Sequence, residues 1–267
     1  MKSAALALAG AFAACALADP LPAPPPPAEQ VKFTPPEPDA IPDTPFGAMV
    51  RLGRDVFVDT QRYAKPYVGN GLNCSDCHLD AGRLAGSAPM WAAYVAFPAF
   101  FPKDNQVDTF GRRVEDCFLF SMNGRTPPLD SAVITGLIAY SHWMATGAPV
   151  GAYLAGRGYP PIADAPQPPS AARGRAVYTA HCAACHQAGG GGLKQDGRYA
   201  FPPVWGSESY NAGAGMARVP TAAAFIKANM PAGQGGTLSD QDAWDVAAYV
   251  NGEPRPPDPS LQSRSSK

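Results

Sequence analysis

Apolar positions recur at helical spacing in four places along the chain. Phe46, Met49, Val50, Gly53 and Phe57 form one stripe that leads toward Cys74. Val133, Leu137, Tyr140 and Met144 form another, stopped by Gly147 and Pro149. Gly174, Val177 and Tyr178 form a third, with Ser170 as its cap, and run into Cys182. The last carries Trp244, Ala247 or Ala248, and Val250, and opens on Ser239 with Asp242 three residues on, a Ser-x-x-acid capping box. The stripes form two pairs. Gly53-Arg-Asp-Val-Phe57 parallels Gly174-Arg-Ala-Val-Tyr178, and each copy is followed by cysteines and then by an apolar closing helix. Twenty residues separate Gly53 from Cys74, whereas seven separate Gly174 from Cys182, so the first copy is the elaborated one. The pattern predicts a mainly α protein made of two tandem units.

The intervals between the stripes set the expected boundaries. Residues 1–18 carry Lys2, an apolar run from Ala4 to Leu17 and an Ala16-Leu17-Ala18 cleavage site, which together read as an export signal. The run is fourteen residues long, short of the roughly twenty that a membrane span needs. A cut before Cys15 would make a lipoprotein instead, but Phe12-Ala13-Ala14 fits that processing poorly. Residues 19–45 hold eleven of the 31 prolines and are expected to form a flexible segment. The first unit is expected over 46–155, a Gly/Pro-rich linker over 156–169, the second unit over 170–252 and a disordered tail over 253–267. The expected compartment is the periplasm.

Composition narrows the partners. The chain has 267 residues, a net charge of -1 and a pI near 6.4, which gives no general basic face for nucleic acid. Any cationic site must be local.

The chemistry lies in two short stretches, Cys74-Ser-Asp-Cys77-His78 and Cys182-Ala-Ala-Cys185-His186. C-x-x-C-H is the attachment signature of c-type haem: two thiols meet two vinyl groups on one porphyrin edge, and the histidine offers a nitrogen to iron. A zinc site would need four closely grouped ligands, and neither copy has a second CxxC beside it. A thioredoxin motif would need a βαβ pattern, which is absent. The expected cofactors are therefore two covalently bound haem c groups, one in each of two cytochrome c-type domains in tandem. Six cysteines minus Cys15 and the four attachment residues leave Cys117 unpaired, as an intermolecular bridge, a reactive thiol or a ligand.

The sixth iron ligands have few candidates. His181 adjoins Cys182, and His142 lies in a closing helix where a structural role is expected. For the second haem Met230, in Asn229-Met230-Pro231-Ala-Gly233, is favoured over Met216 and Lys227, because thioether ligands in small cytochromes come from Pro-bounded loops. For the first haem no methionine stands in a comparable loop. Cys117 lies close in sequence to Arg112, Arg113 and Lys103, cations that favour ionised sulfur and attract an anion. The aromatic segment Trp91, Tyr94, Phe97, Phe100 and Phe101 is expected to shield a haem edge or fill a core.

The stretches from Tyr67-Val-Gly-Asn70 through Cys74, from His78 to Arg83, from Ala88 to Tyr94, and Asp116-Cys117-Phe through Ser121-Met-Asn123-Gly124 resemble thiosulfate dehydrogenases. These are dihaem cytochromes c whose first domain is similar to the SoxA sulfur-oxidation cytochromes. The resemblance covers residues 46–252 and is most specific in the first half. It implies that His78 and Cys117 ligate the active-site haem, that His186 is proximal at an electron-transfer haem, and that Arg113 and Ser121 match family positions around the cysteine. Lys103 matches the family's cationic loop only loosely. Asn229 stands where the family can carry a lysine ligand, so ligand switching is not carried over.

The reaction so implied joins two thiosulfates into tetrathionate and releases two electrons to a soluble or membrane-bound cytochrome. Some family members run it in reverse. Two dianions must meet, so prepositioned cations are needed, with Arg83, Arg113 and Lys103 as candidates. Cys117 is expected to be both iron ligand and nucleophile. The competing readings are a dihaem electron shuttle in which Cys117 only sets a potential, a dihaem peroxidase, and a SoxA-like subunit acting on a carrier protein.

Overall fold

The opening helix, Pro45–Val58, starts where Thr44 accepts a hydrogen bond from the Gly47 amide (3.2 Å) and Pro45 supplies a preset φ at the first turn. Its buried face carries Val50, Gly53, Val56 and Phe57, and meets the closing helix, Ala132–Met144, which Ser131 caps. The two helices cross backbone to backbone. A Cβ added at Gly53 would lie 1.9 Å from the Gly136 carbonyl oxygen, so only glycine permits this approach. Val50 and Val56 are fully buried at the crossing, each worth about 1.5–3 kcal/mol of transfer free energy.

The second half repeats this device. Ser170 caps the helix Ala171–His181 and Ser239 caps Asp240–Gly252, where the Asp242 amide donates to the Ser239 hydroxyl (3.0 Å) and that hydroxyl donates to the Asp242 carboxylate (2.6 Å). A Cβ added at Gly174 would stand 1.9 Å from the Asp245 carbonyl oxygen. The repeat inferred from the stripes is thus a repeat of one helix crossing. The C-terminal crossing adds an ion pair, with Arg173 Nε 2.6 Å from a carboxylate oxygen of the buried Asp245. A third helix, Val219–Asn229, packs on the closing helix of this half.

The structure, a computed structural model, describes residues 30–101 and 105–262. The export signal of residues 1–18, Cys15 and Lys103 lie outside the described residues. The fold is mainly helical; three two-stranded sheets are its β-structure among the described residues.

Three segments differ from expectation. Residues 30–45 are not a loose tether but a strap. Gln30–Val31 pairs in parallel with Tyr153–Leu154, Phe33 packs on Trp91 with ring centroids 5.6 Å apart, and Arg83 bonds the Pro36 carbonyl (2.6 Å). One aromatic anchor and backbone acceptors offset the low hydrophobicity of this stretch. The 156–169 connection likewise docks: Gly86 and Ala88 amides donate to the Gly156 and Gly158 carbonyls, and Trp244 donates to Ala163. Residues 253–262, expected as a disordered tail, run back over the body. The amides of Gly206 and Ala212 donate to Pro254 and Pro256, and the Arg255 guanidinium lies over the Tyr210 ring at 4.3 Å.

Candidate active site

The first CxxCH begins in a tight turn, Cys74–Asp76, held by Asn73, whose amide donates to Asp76 Oδ2 (2.8 Å). His78 Nδ1 lies 2.8 Å from the Ala88 carbonyl oxygen. A carbonyl only accepts, so Nδ1 carries the hydrogen and Nε2 is the nitrogen left for a ligand, the arrangement expected of an oriented axial histidine. Burial lowers the His78 pKa and keeps the ring neutral. Beyond it Asp80 and Ala81 both take φ near 51°, turning the chain under the site, and Tyr140 of the closing helix pins that turn by donating to the Ala81 carbonyl (2.8 Å).

Cys117 arrives from another direction. Thr109 caps the helix Phe110–Asp116, and the chain widens at Cys117 into one π-helical turn, Cys117–Ser121. Such turns recur at functional sites because the extra residue re-aims side chains. Burial pushes the Cys117 thiol up, with Arg113 pulling it down and Asp116 adding to the rise. Of the cations invoked, Arg112 is exposed and does not line the cavity, whereas Arg113 does.

Cys74, Cys77, His78 and Cys117 line one cavity of about 380 Å³. Its walls include Phe57, Leu72, Met90, Phe97 and Leu137. This donor set fits a covalently attached haem: two thiols and an imidazole from one segment, a further thiol from another, and apolar walls for a flat ring. Burial pushes the Cys74 and Cys77 thiols up to about 12. Of the aromatic segment, Trp91 is buried and Phe97 reaches the cavity, but Phe100 is 57% exposed on the short strand Ala99–Phe101 and is not among the cavity's lining residues. His142 meets Tyr94 and Phe46 edge-on and plays a packing role.

The charged lining is where sequence reasoning fell short. Ser121 and Arg113 reach the cavity as expected. Arg83 does not: its guanidinium bonds Pro36 and pairs with Glu37 of the strap at 3.6 Å. Its place is taken by Arg157, from the connection, and Arg218, which precedes the helix Val219–Asn229 of the second half. Met216, weighed as a ligand for the second haem, also lines this first cavity, alongside Tyr159 and Thr221. No carboxylate lines it among the described residues.

In the second half His186 Nδ1 lies 2.8 Å from the Pro202 carbonyl oxygen, repeating the His78 arrangement. Burial pushes Cys182 up to about 11 and lowers His186. Met230 is half-buried at the end of its helix, before a cis bond to Pro231. Lys227, the rival ligand weighed from the sequence, lies 2.5 Å from the Leu238 carbonyl oxygen and 3.1 Å from Asp240. Asn229 is buried and donates to Gly86 of the first half.

Residues 169–250 match the family described as Cytochrome C oxidase, cbb3-type, subunit III, a cytochrome c domain that implies covalent haem c in the C-terminal half. Over 265 residues the chain is 51% identical to the thiosulfate dehydrogenase of Thiomonas intermedia, covering 97% of this chain and 84% of that protein. It is 53% identical over 232 residues to that of Stutzerimonas stutzeri, covering 86% and 75%. The solved structure of thiosulfate dehydrogenase (TsdBA) from Marichromatium purpuratum, in its as-isolated form, superposes with a TM-score of 0.82 at 47% identity. It covers 88% of this chain, which spans 53% of that longer one. With these identities over most of both chains, and a cavity that joins CxxCH to a lone cysteine, the chain belongs to the thiosulfate dehydrogenase family.

Proposed function

We propose that this protein oxidises two thiosulfate ions to tetrathionate in the Cys117 cavity and passes the electrons through its second half to an external cytochrome. The observation that carries this reading is the lining itself. His78 and Cys117, far apart in sequence, face one cavity whose other charged residues are Arg113, Arg157 and Arg218. Two dianions at 4 Å repel by about 4 kcal/mol even in bulk water, and by more in a partly dry site. Three guanidiniums, of which Arg113 also pairs with Asp116 at 3.6 Å, oppose that repulsion at the point of encounter.

Cys74 and Cys77 would carry the thioethers of the first haem, with His78 and Cys117 toward its iron. Cys182, Cys185 and His186 would hold the second, with Met230 as its distal ligand. When bound, the pair of haems supplies two one-electron acceptors, matching a two-electron oxidation. Cys117 Sγ bonds the sulfane sulfur of the first thiosulfate with loss of two electrons. The second thiosulfate attacks that same sulfur, the Sγ–S bond breaks, and Cys117 departs as thiolate from tetrathionate. Ser121 offers a hydroxyl to a sulfonate oxygen, and Arg113 holds the first anion beside Sγ. Arg157 and Arg218, both exposed at the cavity rim, receive the second. The two haem domains are assigned to 46–155 and 170–252, and the protein to the periplasm. No helix of the described residues is long and apolar enough to cross a membrane.

Anaerobic addition of thiosulfate to the oxidised holoprotein tests the reading. Haem reduction with stoichiometric tetrathionate is expected. A protein that dithionite reduces and thiosulfate does not would refute the oxidative direction. At the rim, Arg218→Gln should raise KM for thiosulfate about tenfold, the effect of losing roughly 1.4 kcal/mol, with haem content unchanged.

A further inference from the structure

We infer that Asn70 and Asn211 are positioning residues for Cys117, together fixing the turn that carries its thiol from both halves of the molecule. The inference rests on the reading of Cys117 as an iron ligand and nucleophile, and names what aims it.

A π-helical turn ends with carbonyls that the departing chain must satisfy by other means. In Cys117–Ser121 the first two are met locally, by the Met122 amide on the Cys117 carbonyl (2.9 Å) and the Gly124 amide on that of Phe118 (2.9 Å). The next three accept from two asparagines. Asn211 Nδ2 donates to Leu119 (3.0 Å), the Asn211 amide donates to Phe120 (3.2 Å), and Asn70 Nδ2 donates to Ser121 (2.8 Å). Successive carbonyls of the cysteine-bearing turn are thus held by a residue four positions before Cys74 and by one from the C-terminal half.

Both amides are buried and fully used. Asn70 is 4% exposed; its Nδ2 also donates to Ser209 (3.1 Å) and its Oδ1 accepts from the Leu72 amide (3.2 Å). Asn211 is 0% exposed; its Nδ2 also donates to Asn123 Oδ1 (3.1 Å) and its Oδ1 accepts from the Gly213 amide (3.0 Å). The two chain segments they join are pressed together without side chains between them. A Cβ at Gly69 would lie 2.0 Å from the Asn123 carbonyl oxygen, and one at Gly124 would lie 2.0 Å from that of Tyr67. This accounts for Gly69, Asn70, Asn123 and Gly124, the parts of the two sequence motifs that bear no chemistry of their own. Losing one of these donors leaves a buried carbonyl unpaired and the turn free to rotate, which changes where Sγ points rather than how anions bind.

The test uses the full-length dihaem protein with Asn211→Ala, Asn70→Ala and both together, read by EPR of the ferric state and by steady-state kinetics. In the wild type the Cys117-ligated haem should give a thiolate-type low-spin signal. In each single variant that signal should split or broaden while the second haem's signal stays fixed. Each kcat should fall about tenfold, for roughly 1.4 kcal/mol of lost positioning, with KM within about twofold. Because both residues hold one turn, the double variant should lose far less than the product of the singles. Asn123→Gly is the gentler variant: glycine adopts its φ of 46° freely, so only the Asn211 contact is removed, and the same signal should broaden to a smaller extent. Wild-type signals and kcat in the folded variants would overturn the positioning role alone. Absence of a thiolate signal from the wild type would overturn the ligand reading of Cys117 on which it stands.

Discussion

The two halves cross their first and last helices through the same glycine contact, Gly53 on Gly136 and Gly174 on Asp245, and both orient a CxxCH histidine through its Nδ1 on a backbone carbonyl. They differ in what surrounds that shared frame. The first half inserts a longer approach to its cysteines, a π-helical turn bearing Cys117, and a cavity that draws residues from the strap's neighbours, the connection and the second half. The second half spends its polar contacts on itself, through Arg173–Asp245, and on the interface, through Asn211, Asn229 and an Arg198–Asp59 ion pair at 2.6 Å. Under the proposed function, one frame serves as a relay when left plain and as a reaction site when elaborated. The difference lies in loops and interface rather than in the helices.

The comparison yields graded predictions. The frame should be equally intolerant in both halves: Gly53→Ala and Gly174→Ala should each cost about 3 kcal/mol by overpacking, read as a lower thermal midpoint with haem attached. Unequal losses would break the claim that the crossings are equivalent. Arg113→Ala should weaken thiosulfate handling by about 2 kcal/mol, roughly thirtyfold in kcat/KM, without altering the second haem's potential. The same loss from an Arg175 variant, on the outer face of Ala171–His181, would break the division of labour.

The smallest effect concerns acid. Burial raises the Asp245 carboxyl, but Arg173, the Ser170 amide and Gln241 together hold it below its ordinary value. A carboxylate with a lowered folded pKa contributes stability that is present above its unfolded value and lost as pH falls through the folded one. Between neutral pH and the range below about 4 the wild type should lose this increment, and Asp245→Asn should flatten that part of the profile. Unfolding midpoints measured against pH check it, and an unchanged acid limb in the variant would contradict it.

Much of the frame was legible in the sequence because it depends on local signals: Ser170 and Ser239 as caps, Gly53 and Gly174 at fixed distances from an apolar stripe, and CxxCH as a rigid spacing. What was not legible depends on tertiary approach. Arg157 and Arg218 stand in no motif, and nothing near them in sequence shows that their segments line the Cys117 cavity. Arg83 misled for the converse reason, because Glu37 and the Pro36 carbonyl reach it from a strap whose proline content suggested no structure. Phe33, an isolated aromatic in that strap, was the one available signal. Asn70 and Asn123 were visible as parts of motifs, but Asn211, which completes their network, lies in an unremarkable Gly/Ala stretch.

The central claim is that Cys117 performs the chemistry while the second half only relays electrons. It is tested most directly by mixing thiosulfate anaerobically with oxidised Cys117→Gly holoprotein carrying both haems. The account predicts neither haem reduction nor tetrathionate in a sample that dithionite reduces normally. Reduction and tetrathionate at near wild-type rates would contradict it.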